Sequence, residues 1–369
     1  MKLQLNRATL LWRATMLQKI ITTKSVPILN DIMFSIEGDQ LELTTTDNEI
    51  RMKTTMSVQG DGTACRFCLN ANDIISAIST INDDNISIYI DEDEGFTLRH
   101  RLGEVKLLCD NADEYPVASV NSYDDGISLK GLDIRDAIKR CIWATANDQL
   151  RRALMGVYVG CAEGRIDIVA TDGHSLVRTR IPHQGKDFHF IMNKKVATTL
   201  MSAIEANEDI LISCNENSCK IEQSSYTMEF VLPEDRFPNY NKVIPEHSSI
   251  VLTVDRNDML YALQNVLQFT DASLSRMVKI DISNNNINLT GSNDIYNKSS
   301  HIDIPTECTG EKILIGANGA ALTHMFNRMR CDKLKLKLTS PDRPIMVEPD
   351  ANEEGCHVLM LLMPLIIDK

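Results

Sequence analysis

"KLQLNRATLLWRATMLQKI" (2–20), "GISLKGLDIRDAIKRCIWAT" (126–145) and "SIVLTVDRNDMLYALQNVLQFT" (249–270) begin in the same way. In each, a short alternation of apolar and polar residues, the pattern of a half-buried strand, meets a polar break. It then passes into apolar positions three and four apart, the pattern of an amphipathic helix. Aligning Leu3, Ile127 and Val251 gives offsets of 127 − 3 = 124 and 251 − 127 = 124 residues. A unit of that length is much longer than a solenoid repeat and has the size of a domain.

The repeat continues beyond its opening. Next come alternating runs with turn residues at their centres, "DIMFSIEGDQLELTTTDNE" (31–49), "MGVYVGCAEGRIDIVATDGH" (155–174) and "VKIDISNNNINLTGSNDI" (278–295), which read as hairpins. A second strand–helix follows in "RFCLNANDIISAISTI" (66–81), "FHFIMNKKVATTLMSAI" (188–204) and "KILIGANGAALTHMFNRM" (312–329), and further strands close each unit. Every unit is thus a doubled strand–helix–strands element, and the fold class is α+β. The polar, turn-rich stretches "VNSYDDG" (120–126) and "VIPEHSS" (243–249) set domains at 1–121, 122–246 and 247–369.

The composition is that of a folded protein: 369 residues, 43% hydrophobic and 24% charged. The N-terminal stretch is a poor signal peptide, and no later run is long and apolar enough for a membrane helix. Ten scattered cysteines lack the spacing of a secreted disulfide framework and point to reduced thiols in the cytoplasm. Cys65 and Cys68 form a lone CxxC without a second pair at zinc-finger distance, so no metal site is expected. The tail "CHVLMLLMPLIIDK" (356–369) divides into a buried closing strand, "HVLMLL", and "MPLII", which the fold alone does not require because proline ends strand pairing.

The net charge of −13 argues against nucleic-acid binding unless the positive charge is gathered on one face. Leu10, Ala14, Leu17 and Ile21 form the apolar stripe of the first helix, with Arg13 and Lys19 off it. Ile134, Ile138, Cys141 and Thr145 do the same in the second repeat, with Arg135 and Lys139 off the stripe. Lys194 and Lys195 open a later helix, and Arg328 and Arg330 close another. Acidic residues gather instead in "DEDEG" (91–95), "DNADE" (110–114) and "PDANEE" (349–354). Helices sharing one surface would make it basic on an acidic body, suited to phosphate contact without base readout.

On this threefold plan, "VATDGHSLVRTRIP" (169–182), "PEDRFPNYNKVIP" (233–245) and the terminal "MPL" (363–365) resemble the bacterial DNA polymerase III beta subunit family, the sliding clamps, over the whole chain. The resemblance implies three clamp domains per protomer, with helices lining a ring and antiparallel sheets outside. It implies a head-to-tail homodimer that encircles double-stranded DNA irrespective of sequence. The ring tethers the DNA polymerase III catalytic subunit and other proteins carrying a clamp-binding motif, and an ATP-driven clamp loader opens and closes it. Neither catalysis nor a cofactor is implied.

Carried over by position, the family's partner-peptide pocket falls on Leu154, Thr171, Gly173, His174, Leu176, Pro238, Val243, Pro344, Leu361, Leu362, Met363, Pro364 and Leu365. Apolar walls suit the anchors of a short peptide, and Met363 brings an adaptable side chain to a surface with several partners. Lys24, Arg151, Arg152, Lys194 and Lys242 are the implied DNA contacts, and Val105, Leu107, Leu267 and Phe269 the implied dimer seam. Three features depart from the family: Ser175 stands where Arg is common, Asn72 where a basic residue is common, and Ile366–Lys369 replace a shorter ending.

Two other readings exist. Asp172 and His174 could serve a hydrolase as an acid–base pair, but the corresponding places in the other repeats are "TDNE" and "GSND", so the recurring acid reads as a turn former. A three-repeat scaffold without nucleic-acid binding is the second.

Overall fold

The computed structural model describes residues 2–21, 26–90, 95–116, 121–123, 126–271, 275–283, 285–309, 311–352 and 355–367. Its helices come two to a repeat: α1 (Arg7–Gln18), α2 (Ala71–Ser79), α3 (Gly131–Cys141), α4 (Lys194–Ala203), α5 (Arg256–Leu267) and α6 (Gly319–Arg328). Each follows a strand without a loop. At four of these junctions a capping side chain makes the change of direction: Asn6 accepts from the N–H of Thr9 at 2.9 Å, and Asn70 from that of Asn72 at 3.0 Å. Asp255 accepts from Asn257 and Asp258 at 2.8 and 3.1 Å, and Asn318 from Ala321 at 3.0 Å. Such a cap satisfies an N–H that the first helical turn leaves without a partner.

The apolar stripes are buried as their spacing requires, with one shift of phase. Leu10, Ala14 and Leu17 have no exposure, but the next core residue is Ile20, while Ile21 is only half-buried. The reason is the tightened end of α1, where Lys19, Ile20 and Ile21 donate to the carbonyls three residues back instead of four. Burial of a leucine such as Leu10 contributes about 2 kcal/mol.

The chain folds into two compact units. The first comprises 1–135 and 195–234 and holds two sheets. One runs Gln59–Gly60, Lys2–Asn6, Asn85–Ile90, Gly95–His100, Gly103–Leu108 in spatial order. The other runs Ile127–Lys130, Asp209–Cys214, Ser218–Gln223, Tyr226–Val231, Ile50–Ser57, Gln40–Thr46, Asp31–Glu37, Cys65–Asn70. This second sheet crosses a repeat boundary, because Tyr226 pairs with Thr54 and Phe230 with Ile50. Phe34 stacks on Phe67 with ring centres 5.0 Å apart, and Phe67 meets Phe96 at 6.0 Å.

The second unit comprises 136–194 and 235–369 and repeats the device. Its large sheet runs Phe188–Asn193, Gly156–Ala162, Arg165–Thr171, Ser175–Pro182, His357–Leu362, Ile345–Pro349, Lys333–Leu338, Ile250–Asp255, Glu307–Thr309. Ser175 pairs with Leu362 and Arg180 with His357, again across a repeat boundary. The small sheet is Lys298–Pro305, Asn286–Asn293, Met277–Ser283, Ile313–Asn318. Compact unit and sequence repeat therefore differ, since sheet pairing and not chain order defines the units.

Candidate functional site

The "TDGH" turn joins two neighbouring strands of the second unit's large sheet. Asp172 Oδ1 accepts from the N–H groups of His174 and Ser175 at 2.8 and 2.6 Å. The Thr171 hydroxyl donates to the carbonyl of Ser175 at 2.7 Å and accepts from Gly173 at 3.1 Å. Gly173 has φ +89°, where a side chain is strained. The first repeat builds the same turn from "TDNE": Asp47 Oδ1 accepts from Glu49 and Ile50 at 3.0 and 2.8 Å. There the Thr46 hydroxyl donates to the carbonyl of Ile50 at 2.9 Å and accepts from Asn48, whose φ is +76°. The acid is thus a shared turn former, and nothing in the turn needs His174, whose side chain is exposed.

Beside this turn lies an apolar cluster of Val169, Leu176, Met346, Leu359 and Leu361, with Tyr158, Phe237, Tyr240 and Ile244 packed against it. Polar anchors hold the segment 237–244 in place. Asp167 receives Nε and Nη2 of Arg180 at 2.7 and 2.8 Å and the Tyr240 hydroxyl at 2.8 Å. Tyr158 stacks on Phe237 with ring centres 5.0 Å apart. Burial pushes the Asp167 carboxyl up, but the hydrogen bonds from Arg180 and Tyr240 outweigh it, so the group stays below the usual carboxylate range. The tail is fixed by backbone bonds: Met363 N–H donates to the carbonyl of His174 and Leu365 N–H to that of Gly316, both at 2.8 Å.

These contacts bring Thr171, Gly173, His174, Leu176 and the tail 361–365 together. Pro344 lies next to Ile345, which pairs with Leu362, and Pro238 and Val243 ride on the anchored segment. Leu154 stands in the Gln149–Met155 turn, whose Arg151 donates to the carbonyl of Asp172 at 3.4 Å. Their exposures differ widely. Leu176, Leu361 and Leu362 are core residues, 4%, 4% and 2% exposed, whereas Met363 and Val243 are 40% and 53% exposed. Sequence reading missed the positioning residues Tyr158, Asp167, Arg180, Phe237 and Tyr240. It also missed Leu150, which stands 93% exposed next to Arg151, while Ile366, the first residue of the ending that departs from the family, stands 89% exposed.

The helical positive charge is smaller than the sequence suggests. The Arg13 guanidinium reaches the Thr54 hydroxyl and, at 3.0 Å, the carbonyl of Ser225. Lys195 pairs with buried Asp47 at 2.6 Å, and Arg330 reaches buried Asp136 at 2.9 Å. These three basic residues tie one repeat to the next. Among the implied DNA contacts, Arg151, Arg152, Lys194 and Lys242 are exposed, with Lys194 reaching Asn147 at 3.4 Å; Lys24 lies outside the described residues. At the implied dimer seam, Val105 and Leu107 are half-buried, but their neighbour Leu108 is 92% exposed. Leu267 is half-buried, and Phe269 is 37% exposed. Among the described residues there is no group of acidic, His and Cys side chains that could hold a metal ion, and no helix is long and apolar enough to cross a membrane.

Repeated strand–helix units, sheets that pass from one repeat to the next and an apolar face beside a structural turn define a scaffold with a surface suited to binding. Comparison with known proteins makes the class specific. The N-terminal, central and C-terminal domains of the DNA polymerase III beta subunit match residues 1–119, 128–239 and 241–363. The chain is 22% identical over 341 residues to the beta sliding clamp of Vibrio cholerae, covering 91% of this chain and 92% of that one. It is 24% identical over 375 residues to that of Caulobacter vibrioides, covering 98% and 100%. Among solved structures, a DNA polymerase sliding clamp from Pseudomonas aeruginosa with ligand superposes with TM-score 0.92 at 19% identity, and the DNA polymerase III beta subunit from Thermotoga maritima with 0.92 at 18%, each covering 100% of both chains. The chain belongs to the DNA polymerase III beta subunit family.

Proposed function

We propose that this protein is a sliding clamp, a non-catalytic processivity factor of the cytoplasm. Two copies close head to tail around double-stranded DNA and tether the DNA polymerase III catalytic subunit and other partners bearing a short apolar motif, a clamp loader opening the ring. The observation that carries this reading is a pattern of strand pairing. The first repeat's Ile50–Ser57 pairs with the second repeat's closing strand, Tyr226–Val231. The second repeat's Ser175–Pro182 pairs with the third repeat's closing strand, His357–Leu362. The third repeat's counterpart, Lys298–Pro305, is an edge strand, and so is the first repeat's closing strand, Gly103–Leu108. Continuing the pattern pairs each with the other in a second copy, which hides both edges and closes a cycle.

Topology then holds the DNA. A net charge of −13 and a modest set of exposed basic residues, Arg151, Arg152, Lys194 and Lys242, suit weak, exchangeable phosphate contacts and rapid sliding. Met363, Pro364 and Leu365, with His174, Pro238 and Val243, form the accessible part of the partner-peptide site. Leu176 and Leu361 are its floor. The domains remain those of the repeat, 1–121, 122–246 and 247–369.

The deciding experiment loads the protein onto nicked circular DNA and then linearises the circle. Retention on the circle and loss from the linear form are expected. Equal retention on both would overturn the ring, and hydrolytic turnover abolished by Asp172→Ala would favour an enzyme.

A further inference from the structure

Cys214 and Cys219 stand directly opposite each other across the antiparallel pair Asp209–Cys214 and Ser218–Gln223. Both are free thiols, and their Sγ atoms are 2.8 Å apart. Directly opposed residues of an antiparallel pair have Cα atoms about 4.5–5.5 Å apart, inside the span that a disulfide bridges without backbone movement. Cys214 is half-buried, whereas Cys219 is fully buried, so Cys214 is the more accessible of the two to a reagent.

The short turn between them is an anchoring element. Asn215 Oδ1 accepts from the N–H groups of Asn217 and Ser218 at 2.9 and 2.8 Å. Asn215 Nδ2 donates to the carbonyl of Ser122 at 2.9 Å, the Ser218 hydroxyl lies 3.4 Å from that of Tyr123, and the Lys220 ammonium sits over the Tyr123 ring, 5.3 Å from its centre. The cysteine pair thus closes the base of a turn that holds the chain where the first repeat leads into the second.

We propose that Cys214 and Cys219 form a reversible dithiol–disulfide couple, oxidised by low-molecular-weight disulfides such as glutathione disulfide. The Cys214 thiolate attacks one glutathione sulfur, the S–S bond breaks, and the first glutathione leaves as thiolate. Cys219 then loses its proton and attacks Cys214 Sγ, displacing the second glutathione. Two protein thiols are oxidised by two electrons, and one glutathione disulfide is reduced to two thiols. Burial pushes the Cys219 thiol well up, so the second step accelerates with alkalinity. The product encloses Asn215, Glu216, Asn217 and Ser218 in a covalent ring and locks the anchor of Ser122 and Tyr123.

The test treats the full-length protein with glutathione disulfide, blocks remaining thiols with iodoacetamide and analyses tryptic peptides by mass spectrometry. Cleavage after Lys195 and Lys220 leaves both cysteines, and no others, on one peptide. That peptide is expected two hydrogen atoms lighter, without alkyl groups, and restored by dithiothreitol. Cys219→Ser should keep glutathione on Cys214, and Cys214→Ser should leave Cys219 alkylated after denaturation. Two alkylated cysteines in the treated protein, stable glutathione on Cys214 of the unaltered chain, or a bond from either residue to another cysteine would overturn the proposal.

Discussion

The backbone N–H of Met363 donates to the carbonyl of His174 at 2.8 Å, joining the tail to the "TDGH" turn almost two hundred positions earlier in the chain. Proline at 364 has no N–H to continue the strand, and Leu365 turns instead to the carbonyl of Gly316. The tail thus leaves the sheet with Met363 40% exposed.

Deleting residues 363–369 is therefore expected to weaken binding of a partner peptide at least ten-fold, about 1.4 kcal/mol, in a fluorescence-anisotropy titration. Sedimentation should still give the dimer, because the edges assigned to it are Gly103–Leu108 and Lys298–Pro305. Unchanged affinity would place peptide docking elsewhere.

Leu108 makes little contact within the protomer, being 92% exposed at the end of an edge strand. Leu108→Asp should change chemical stability by no more than about 0.5 kcal/mol while shifting sedimentation towards the monomer and shortening retention on circular DNA. A dimer of undiminished affinity would remove this strand from the seam.

Lys195 and Asp47 form a 2.6 Å ion pair with side chains 26% and 6% exposed. Lys195→Ala leaves a buried carboxylate without its ammonium, which costs about 2 kcal/mol after allowance for the partly solvated lysine. Burial pushes the Asp47 carboxyl up, but Lys195 and the N–H groups of Ile50 and Glu49 outweigh it and hold it below its ordinary value. A depressed carboxylate contributes its stability above the unfolded pKa of about 3.9 and loses it as pH falls through the lower folded value. Acid unfolding of Lys195→Ala should therefore begin at a higher pH than in the unaltered chain, followed by circular dichroism; identical acid limbs would show that the pair contributes nothing.

Asp31 behaves in the opposite sense. It is 2% exposed, and burial, then the hydrogen bond and charge of Asp110 and the charge of Asp73, push its carboxyl up to about 7. The folded state favours the neutral acid, so the contribution is complete below the unfolded value of about 3.9 and is lost as pH rises through about 7. Asp31→Asn should stabilise the protein by about 1–2 kcal/mol at pH 8 and much less at pH 5, as read by urea unfolding. Equal effects at the two pH values would contradict the assignment.

Much of the fold was legible because its signals are local. The turn centres "EGDQ" and "AEGR" place glycine where φ is positive, at Gly38 and Gly164, and Asn6, Asn70, Asp255 and Asn318 mark the strand–helix junctions they cap. The motifs around 171–176, 238–243 and 361–365 likewise marked the candidate docking face. The pairing of its supports was not legible: Arg180 and Tyr240 lie within the quoted motifs and Asp167 just outside them, but nothing local joins them, and only folding brings Tyr240 to Asp167 from 73 residues away.

The sequence by itself determined the threefold repeat, the order of strands and helices and the turn chemistry, since period, cap and turn act over a few residues. Tertiary structure decided which side chains remain for other tasks. Lys195 finds Asp47 across 148 residues and Arg330 finds Asp136 across 194, so charges that read as an open basic face become links between repeats. Pairing of strands from different repeats was likewise settled by long-range contact, because an edge strand's open N–H and C=O groups take whichever partner the folded chain brings beside them.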